Sequence, residues 1–458
     1  MVVEFSCDGD SDHRTRLFYG LKKNGRYYFE NETAFRHFSA KNPKNNGNDG
    51  RYESKNIILH MKGDTSKQKE YIFSTSIWTT VTELHDLETG TSIYYDTVDF
   101  WDIVEIFSYE INLFELWEGD NINYVAAFTQ HETDKIYLNG KEDDYSKTFS
   151  LRKFSFTDPN TFTILKKEDY GANYNSRMIS CFLVPDWQDI VVFFLKAADN
   201  EYKNAQYFIA FYYYDLKFRN EISKDWVEEP NSGVGIFFRG FYLRDRFCAF
   251  IYFKDKYGKY LRFEVGQLDN GDNGRKFNYR ASKDLNEHYY APHVNYNDFY
   301  KVDNNRLVFV TSKHPYDKLY FFIFDMYNDY WNFRARKYSY SIRYSLIKEI
   351  QGYTYNGYII FTFCSREADI YSTLLFFGYA NGTDFEMDIF PYLSDTASYD
   401  SSKNLYSELI KTLEIDNNIF NYENAGQIKL ISILDELQFF NRESNSLIQN
   451  GGNIDANS

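Results

Sequence analysis

One pattern recurs along the whole chain: an apolar run, a polar or glycine-containing break, a second aromatic run, and a turn of Asp, Asn or Gly. This pattern is typical of a β-hairpin. Its closing turns are spaced by 53 to 68 residues. The seven copies are residues 16–31, 71–90, 122–159, 190–215, 246–270, 306–329 and 358–382.

A regular spacing of this size indicates a repeat architecture rather than unrelated domains. Weaker runs that alternate polar and apolar residues lie between the hairpins, among them NIILHM, MISCFLV and GIFFRGFYL. A hairpin with two further strands fits a propeller blade, which has four strands and roughly 40 to 50 residues. We therefore predict an all-β fold, a β-propeller of seven blades, with six as the alternative count.

The predicted propeller spans residues 14–396, after an N-terminal segment of residues 1–13. Residues 397–458 do not repeat the hairpin unit, although QIKLISIL in this part predicts another strand. This C-terminal β segment either begins a small second β-domain or closes the ring, and its polar end is expected to fray. Short helices are predicted for residues 34–42, AFRHFSAKN, and residues 405–415, LYSELIKTLEI.

The composition agrees with strands and restricts the partners. Aromatic residues make up 20% of the chain, including 43 Tyr and 43 Phe, and flat rings pack well on pleated sheets. The formal net charge of −15 repels phosphate backbones and anionic lipid surfaces, so nucleic acid is not an expected partner. The chain has no long uncharged apolar stretch and no apolar signal core near residue 1, so we expect no direct membrane insertion.

Three stretches resemble known surface proteins: SIRYSLI, LLFFGYANGTD and LEIDNNIFNYENAGQIKLISI. They are similar to the β-rich, propeller-like ectodomains of large surface-protein families of AT-rich protists. The resemblance implies an extracellular or cell-surface location and a chain that belongs to a longer protein. It supplies neither a ligand nor a catalytic residue.

The four cysteines are widely spaced and form no CxxC motif, which argues against zinc and thioredoxin chemistry. Cys181, Cys248 and Cys364 each lie in an apolar run, so buried thiols are predicted. One or two disulfides among the four cysteines are the alternative. His288 and His293, with Glu287 beside them, form a weak metal-site candidate, since histidines among aromatic residues more often simply pack.

No cofactor is expected, although two acidic clusters offer oxygen ligands for calcium. Asp8, Asp10 and Asp12 lie in DGDSDH, which lacks the glycine and the closing glutamate of an EF-hand. Asp269 and Asp272 lie in LDNGDNG with Asn270 and Asn273, a composition more typical of a hairpin turn than of a calcium site.

Catalytic signatures are absent from the sequence: no GxxxxGK[ST], GxSxG or HExxH motif occurs, nor the SxDxGxTW box of propeller sialidases. Asp102 and Glu105 in WDIVEIF are one carboxylate pair among many, and their spacing fits a solvated strand face as well as a hydrolase site. Asn31 in NET and Asn381 in NGT are glycosylation sequons at predicted turns.

The leading hypothesis is a binding or adhesion module whose propeller loops, with Tyr, Trp and Asn, contact a protein or glycan partner. One alternative is a carbohydrate-active propeller enzyme of the glycoside hydrolase type with axial carboxylates. The other is a purely architectural domain of a longer surface protein.

Overall fold

The apolar runs of the sequence form antiparallel strands. Side chains are described for part of these strands, chiefly between residues 112 and 337. The computed structural model describes residues 2–7, 14–19, 21–23, 26–28, 35–38, 54–62, 68–76, 81–86, 92–96, 112–118, 121–132, 136–138, 141–143, 146–170, 175–197, 206–226, 238–253, 261–285, 297–313, 318–327, 332–341, 347–355, 358–367, 370–381, 384–392 and 427–432.

The described strands form seven four-stranded antiparallel sheets and two small two-stranded pairs. The chain divides into two compact units. One unit comprises residues 53–294 and 326–334, and the other comprises residues 1–52, 295–325 and 335–458. The all-β prediction is confirmed.

The first unit contains four of these sheets, whose strands are adjacent in chain order. A two-stranded pair, β12 (Ile136–Leu138) and β13 (Lys141–Asp143), is inserted into the second sheet. The sheets are β6 (Ser54–Lys62), β7 (Gln68–Ser76), β8 (Val81–Asp86) and β9 (Ser92–Asp96); β10 (Asn112–Glu118), β11 (Asn121–Glu132), β14 (Ser146–Asp158) and β15 (Thr161–Asp169); β16 (Asn175–Val184), β17 (Asp189–Ala197), β18 (Gln206–Tyr213) and β19 (Phe218–Trp226); and β20 (Phe238–Tyr242), β21 (Phe247–Phe253), β22 (Leu261–Gly271) and β23 (Gly274–Leu285).

Two further sheets, which lie largely in the other unit, also follow chain order. They are β24 (Asn297–Asp303), β25 (Arg306–Lys313), β26 (Lys318–Tyr327) and β27 (Asn332–Ser341); and β28 (Ile347–Tyr355), β29 (Tyr358–Glu367), β30 (Ile370–Asn381) and β31 (Asp384–Tyr392).

The remaining sheet joins both ends of the chain. Its order is β32-β1-β2-β5, so the C-terminal strand lies beside the first strand. The pairing is antiparallel, with Val3 opposite Leu430 and Phe5 opposite Ile428. The strand predicted at QIKLISIL is therefore present. The strands are β1 (Val2–Cys7), β2 (Arg14–Tyr19), β5 (Phe35–Phe38) and β32 (Gln427–Ser432), and β3 (Leu21–Lys23) and β4 (Arg26–Tyr28) form a separate pair.

Six of the seven predicted hairpins are the second and third strands of a sheet, and these predictions are confirmed. The hairpin predicted at residues 16–31 is present only as the short β3–β4 pair, because β2 pairs with β5 instead. The helix predicted at residues 34–42 is wrong, since Phe35–Phe38 is the strand that pairs with β2. Backbone hydrogen bonds to β2 outweigh a weak helical pattern there. Residues 405–415 lie outside the described residues.

The central strands are buried on both faces. Along β17, Val191 and Phe193 belong to one hydrophobic cluster, while Val192 and Phe194 belong to the cluster on the opposite face. Successive side chains of a strand point to opposite faces, so neighbouring sheets cover this one on each side. The aromatic run of this strand is therefore buried on both faces.

The four sheets of residues 54–285 pack face to face in chain order. One cluster joins Tyr71 and Leu84 of β7 and β8 to the β10–β15 sheet, and the next joins that sheet to β16–β19. A third cluster joins β16–β19 to β20–β23, where Phe193 stacks on Phe238 at 4.5 Å between ring centroids. Burial of each such aromatic side chain contributes about 1.5 to 3 kcal/mol.

Candidate functional site

Four tight turns of the β16–β19 and β20–β23 sheets meet at one end of these sheets. They are residues 185–188, 213–217, 243–246 and 269–275, which we call the Trp187 turn cluster. Antiparallel strands place the turn after the first strand and the turn after the third strand at the same end. Sheet packing therefore brings together side chains that are distant in sequence.

A buried ion pair network anchors the cluster. Asp189, the first residue of β17, is 0% exposed. Its Oδ1 accepts a hydrogen bond from Arg219 Nη2 at 3.0 Å, and its Oδ2 accepts one from Arg275 Nε at 2.5 Å. Arg275 comes from the neighbouring sheet, so this carboxylate joins the two sheets. Two charge-assisted hydrogen bonds compensate its removal from water.

A second set of hydrogen bonds fixes the same sheet contact. Asn220 Oδ1 accepts from the Arg275 backbone N–H at 2.7 Å, and Asn220 Nδ2 donates to the Arg275 carbonyl at 2.9 Å. The Arg275 guanidinium also donates to Asn270 Oδ1. The backbone and side chain of Arg275 are thus both held in place.

Trp187 lies at the centre of the cluster with two guanidinium groups against its indole. The Arg275 Cζ atom is 3.6 Å from the ring centroid and the Arg246 Cζ atom is 5.0 Å from it. Arginine over the face of tryptophan is a favourable cation–π arrangement. Trp187 itself is half-buried against the core between the two sheets.

Asp186 connects this tryptophan turn to the next sheet. Its Oδ2 accepts a hydrogen bond from Tyr242 Oη at 2.5 Å and one from the Arg246 backbone N–H at 3.1 Å. Burial and the hydrogen bond to Asp186 raise the pKa of Tyr242 well above its ordinary value. The phenol therefore stays protonated and donates at any physiological pH.

Exposed aromatic surface borders the cluster. Tyr213 is 37% exposed and Phe218 is 42% exposed, although Tyr213 follows the buried Tyr212 and Phe218 packs against it. The Arg219 Cζ atom lies 3.6 Å from the Tyr213 ring centroid. Exposed aromatic rings beside guanidinium and carboxylate groups are typical of a surface that recognises a partner.

The backbone of these turns is strained. Gln188, Leu216, Asp245 and Arg246 have positive φ angles of 52°, 63°, 49° and 67°. Only glycine adopts this left-handed region without a steric cost, and such strain concentrates at functional sites. The turns therefore hold their side chains at a cost in stability.

Gln188 provides a test of this strain. Replacement of this exposed residue by glycine is expected to raise the free energy of unfolding by about 0.5 to 1 kcal/mol, because the left-handed penalty of about 1 to 2 kcal/mol exceeds the entropy cost of glycine. Urea unfolding measures the change. Gln188→Ala keeps the strain, so an equal gain from both variants would contradict this explanation.

The predicted calcium residues lie at this end but make other contacts. Asp269 accepts hydrogen bonds from Asn278 Nδ2 at 2.9 Å and from the Asn270 backbone N–H at 2.9 Å. Asp272 is exposed on the two-residue turn that joins β22 and β23. In the parts of the chain that the structure describes, no group of three or more His, Cys, Asp or Glu residues is arranged to hold a metal ion.

Other predicted residues are placed apart from the cluster. Cys181 and Cys248 are buried free thiols, as predicted, and burial raises the pKa of Cys181. Asn381 ends β30, where it pairs with Asp384 of β31. The side chains of Cys7 and Cys364 lie outside the described residues, as do Asn31, the Asp8, Asp10 and Asp12 cluster, the pair Asp102 and Glu105, and Glu287, His288 and His293.

Sequence reasoning expected Tyr and Trp on binding loops but did not single out Trp187 or Arg246. The local signals are VPDWQD and LRDRF, short polar breaks between apolar strands that contain few of the usual turn glycines. The sequence of VPDWQD alone does not show that it lies beside LRDRF in the folded chain, and the reverse also holds.

Comparison with known proteins identifies no family. No family model matches the chain, and no curated protein sequence matches it. Solved structures with low similarity include the WD40 domain of SCAP from fission yeast, with 6% identity over 77% of this chain and 78% of that chain and a TM-score of 0.38. We draw no assignment from similarity at this level.

Two further structures show the same low level of similarity. The Aleuria aurantia lectin in complex with alpha-methyl-L-fucoside has 11% identity over 73% of this chain and 94% of that chain, with a TM-score of 0.35. A Synechocystis apocarotenoid oxygenase mutant has 9% identity over 82% of this chain and 86% of that chain, with a TM-score of 0.45.

Within the described residues, no helix has the length and apolar character needed to cross a membrane.

Proposed function

We propose that the chain is a seven-bladed β-propeller that acts as a binding module for a protein or glycan partner. The propeller is supported by the seven described sheets of four strands each, six of them in chain order. It is also supported by the pairing of β32 with β1, since propellers commonly complete one blade with strands from both chain ends.

The Trp187 turn cluster carries the binding proposal. A half-buried indole, two guanidinium groups and exposed rings lie on turns held by the buried Asp189. Recognition residues are expected on loops that a rigid scaffold positions, and Trp, Tyr and Arg are the residues that dominate binding energy. Preorganised side chains lose little conformational entropy on binding.

The extracellular or cell-surface location is part of this proposal, as is membership of a protist surface-protein family. Both follow from the resemblance of SIRYSLI and the related stretches. The hydrolase alternative depends on Asp102 and Glu105, outside the described residues, and stays a prediction. The architectural alternative stays a prediction as well, and the experiment below separates it from a binding module.

The test compares wild-type protein with Trp187→Ala/Tyr213→Ala on arrays of glycans and of purified extracellular proteins. We expect wild type to bind one class of partner and the double variant to lose at least about tenfold in affinity, as is typical of hot-spot aromatic residues. Leu165→Ser is the matched control, because Leu165 is an exposed apolar residue, 49% exposed, on β15 of another sheet.

Three outcomes are distinguishable. Loss of binding in the double variant but not in Leu165→Ser supports the site. Equal binding by all three proteins places recognition elsewhere on the chain and contradicts the proposed site. Absence of any partner for wild type favours the architectural domain and contradicts the binding module.

A further inference from the structure

The two arginines that contact Trp187 differ in how firmly they are held. Arg275 has a side chain that is 7% exposed and is fixed by Asp189 and Asn270. Arg246 has a side chain that is 37% exposed, and its ion pair with Asp269 is long, at 3.8 Å between Nη1 and Oδ1. An ion pair at this distance and exposure contributes little stability.

The Arg246 guanidinium therefore has N–H groups that can donate hydrogen bonds to a ligand. The structure places it 5.0 Å from the Trp187 ring centroid, and the Asp186 carboxylate holds the Arg246 backbone N–H at 3.1 Å. A planar guanidinium beside an aromatic ring is suited to a carboxylate, which accepts two parallel hydrogen bonds. The indole adds an apolar surface directly next to that polar contact.

Arg246 also occupies a backbone position that arginine does not favour. Phe247 N donates to the Arg244 carbonyl at 2.7 Å, which closes a two-residue turn, and the central residues Asp245 and Arg246 are both left-handed. Hairpin turns of this type normally contain Asn-Gly. A strained arginine where glycine fits better indicates a use other than stability.

We propose that Arg246 determines specificity by binding the carboxylate of an acidic sugar whose ring lies against Trp187. This inference rests on the proposed binding function and names the partner class of the same site. The arginine supplies paired donors for the carboxylate, and the neighbouring indole supplies the surface on which the sugar ring packs.

The surrounding charges favour a glycan with one carboxylate over an acidic peptide or another polyanion. The chain carries a formal net charge of −15, and Asp186, Asp245 and Asp269 lie close to Arg246. A polyanion is repelled at long range by such a surface, whereas sugar hydroxyls can donate hydrogen bonds to these carboxylates. A sugar with a single carboxylate can place that charge at Arg246 and direct its hydroxyl groups to the neighbouring aspartates.

The experiment measures binding of matched oligosaccharide pairs on a glycan array. In each pair a terminal uronic or other carboxylated sugar is compared with its neutral parent. Wild type is expected to prefer the carboxylated member by about tenfold, and Arg246→Gln is expected to remove that preference. Arg244→Gln is the matched control, since Arg244 lies on the same turn, has a side chain that is 47% exposed and loses the same charge.

Arg246→Gly separates recognition from a structural role. It is expected to raise the urea midpoint of unfolding because it relieves the left-handed strain, while it abolishes the preference for the carboxylated sugar. A lower midpoint would show that Arg246 serves stability and would overturn the proposal.

The remaining outcomes distinguish this inference from the proposed function. Equal binding of carboxylated and neutral sugars, with loss in Trp187→Ala/Tyr213→Ala, overturns the role of Arg246 and leaves the binding site in place. Equal loss in Arg244→Gln and Arg246→Gln shows a general charge effect and also overturns it. Binding of proteins alone at this site overturns the acidic sugar but supports the binding module.

Discussion

Replacement of Asp189 by asparagine is expected to lower the free energy of unfolding by about 3 kcal/mol, the scale of a broken buried ion pair. The carboxylate is fully buried and accepts hydrogen bonds from Arg219 and Arg275. The side-chain amide of asparagine has one acceptor oxygen and one NH2 group. The NH2 group would face one of the two guanidinium groups, so that contact would place an N–H donor against another N–H donor. Two arginine charges then remain in a partly buried place without a counter-charge.

Urea unfolding of Asp189→Asn and Asp272→Asn measures this effect against a matched control. Asp272 is exposed on the β22–β23 turn, so its loss should change stability by less than about 0.5 kcal/mol. The two variants remove the same charge from the same end of the sheets. A similar small effect in both would show that the Asp189 network does not hold the two sheets together.

Replacement of Gly240 by alanine is expected to cost about 1 to 3 kcal/mol through overpacking. A Cβ atom at this buried position of β20 would lie 2.7 Å from Phe193 Cε2, 2.8 Å from Phe182 Cε1 and 3.0 Å from Phe250 Cδ1. These rings belong to the cluster between the two sheets that carry the Trp187 turn cluster. Three aromatic rings must move to admit one methyl group, and close-packed cores resist such movement.

Gly266→Ala is the control for this prediction. Gly266 is also a buried strand glycine, but its added Cβ would meet no atom closer than 3.5 Å. The second variant Gly240→Ala/Phe182→Leu should recover part of the loss, since a smaller side chain makes room. Equal stability of the two alanine variants, measured by urea unfolding, would contradict the close packing between β16–β19 and β20–β23.

The strands were predictable because their signals are local. Aromatic runs that alternate with polar breaks identify a hairpin within about 25 residues, without knowledge of its neighbours. The closing turns were also readable: Asp158 and Asp215 each accept a hydrogen bond from the backbone N–H two residues later, at 2.8 Å and 2.9 Å. Aspartate at these positions stabilises the turn by its own side chain.

The β5 strand was missed for the opposite reason. Its sequence, FRHF, is short, and its assignment depends on pairing with β2 rather than on its own pattern. The separate β3–β4 pair lies between the two strands, so β2 and β4 belong to different pairs although they are close in sequence. A strand of four residues without regular alternation of polar and apolar side chains carries little local signal of its own.

The candidate site depends on contacts that are distant in sequence. Asp189 and Arg275 are 86 residues apart, and Asp186 and the Arg246 backbone N–H are 60 residues apart. The sequence around each of these residues resembles that of any turn and does not indicate the contact. Their juxtaposition follows from the packing of one sheet on the next, and only a structure supplies that packing.

A crystallographic or cryo-EM map of the full chain tests the proposed ring of sheets most directly. The proposal predicts seven four-stranded sheets arranged radially about one axis, with β32 hydrogen-bonded to β1 and the Trp187 turn cluster at one open end. Sheets stacked without a common axis, or a β32 strand that pairs away from β1, would contradict the propeller and remove the scaffold on which the proposed binding site depends.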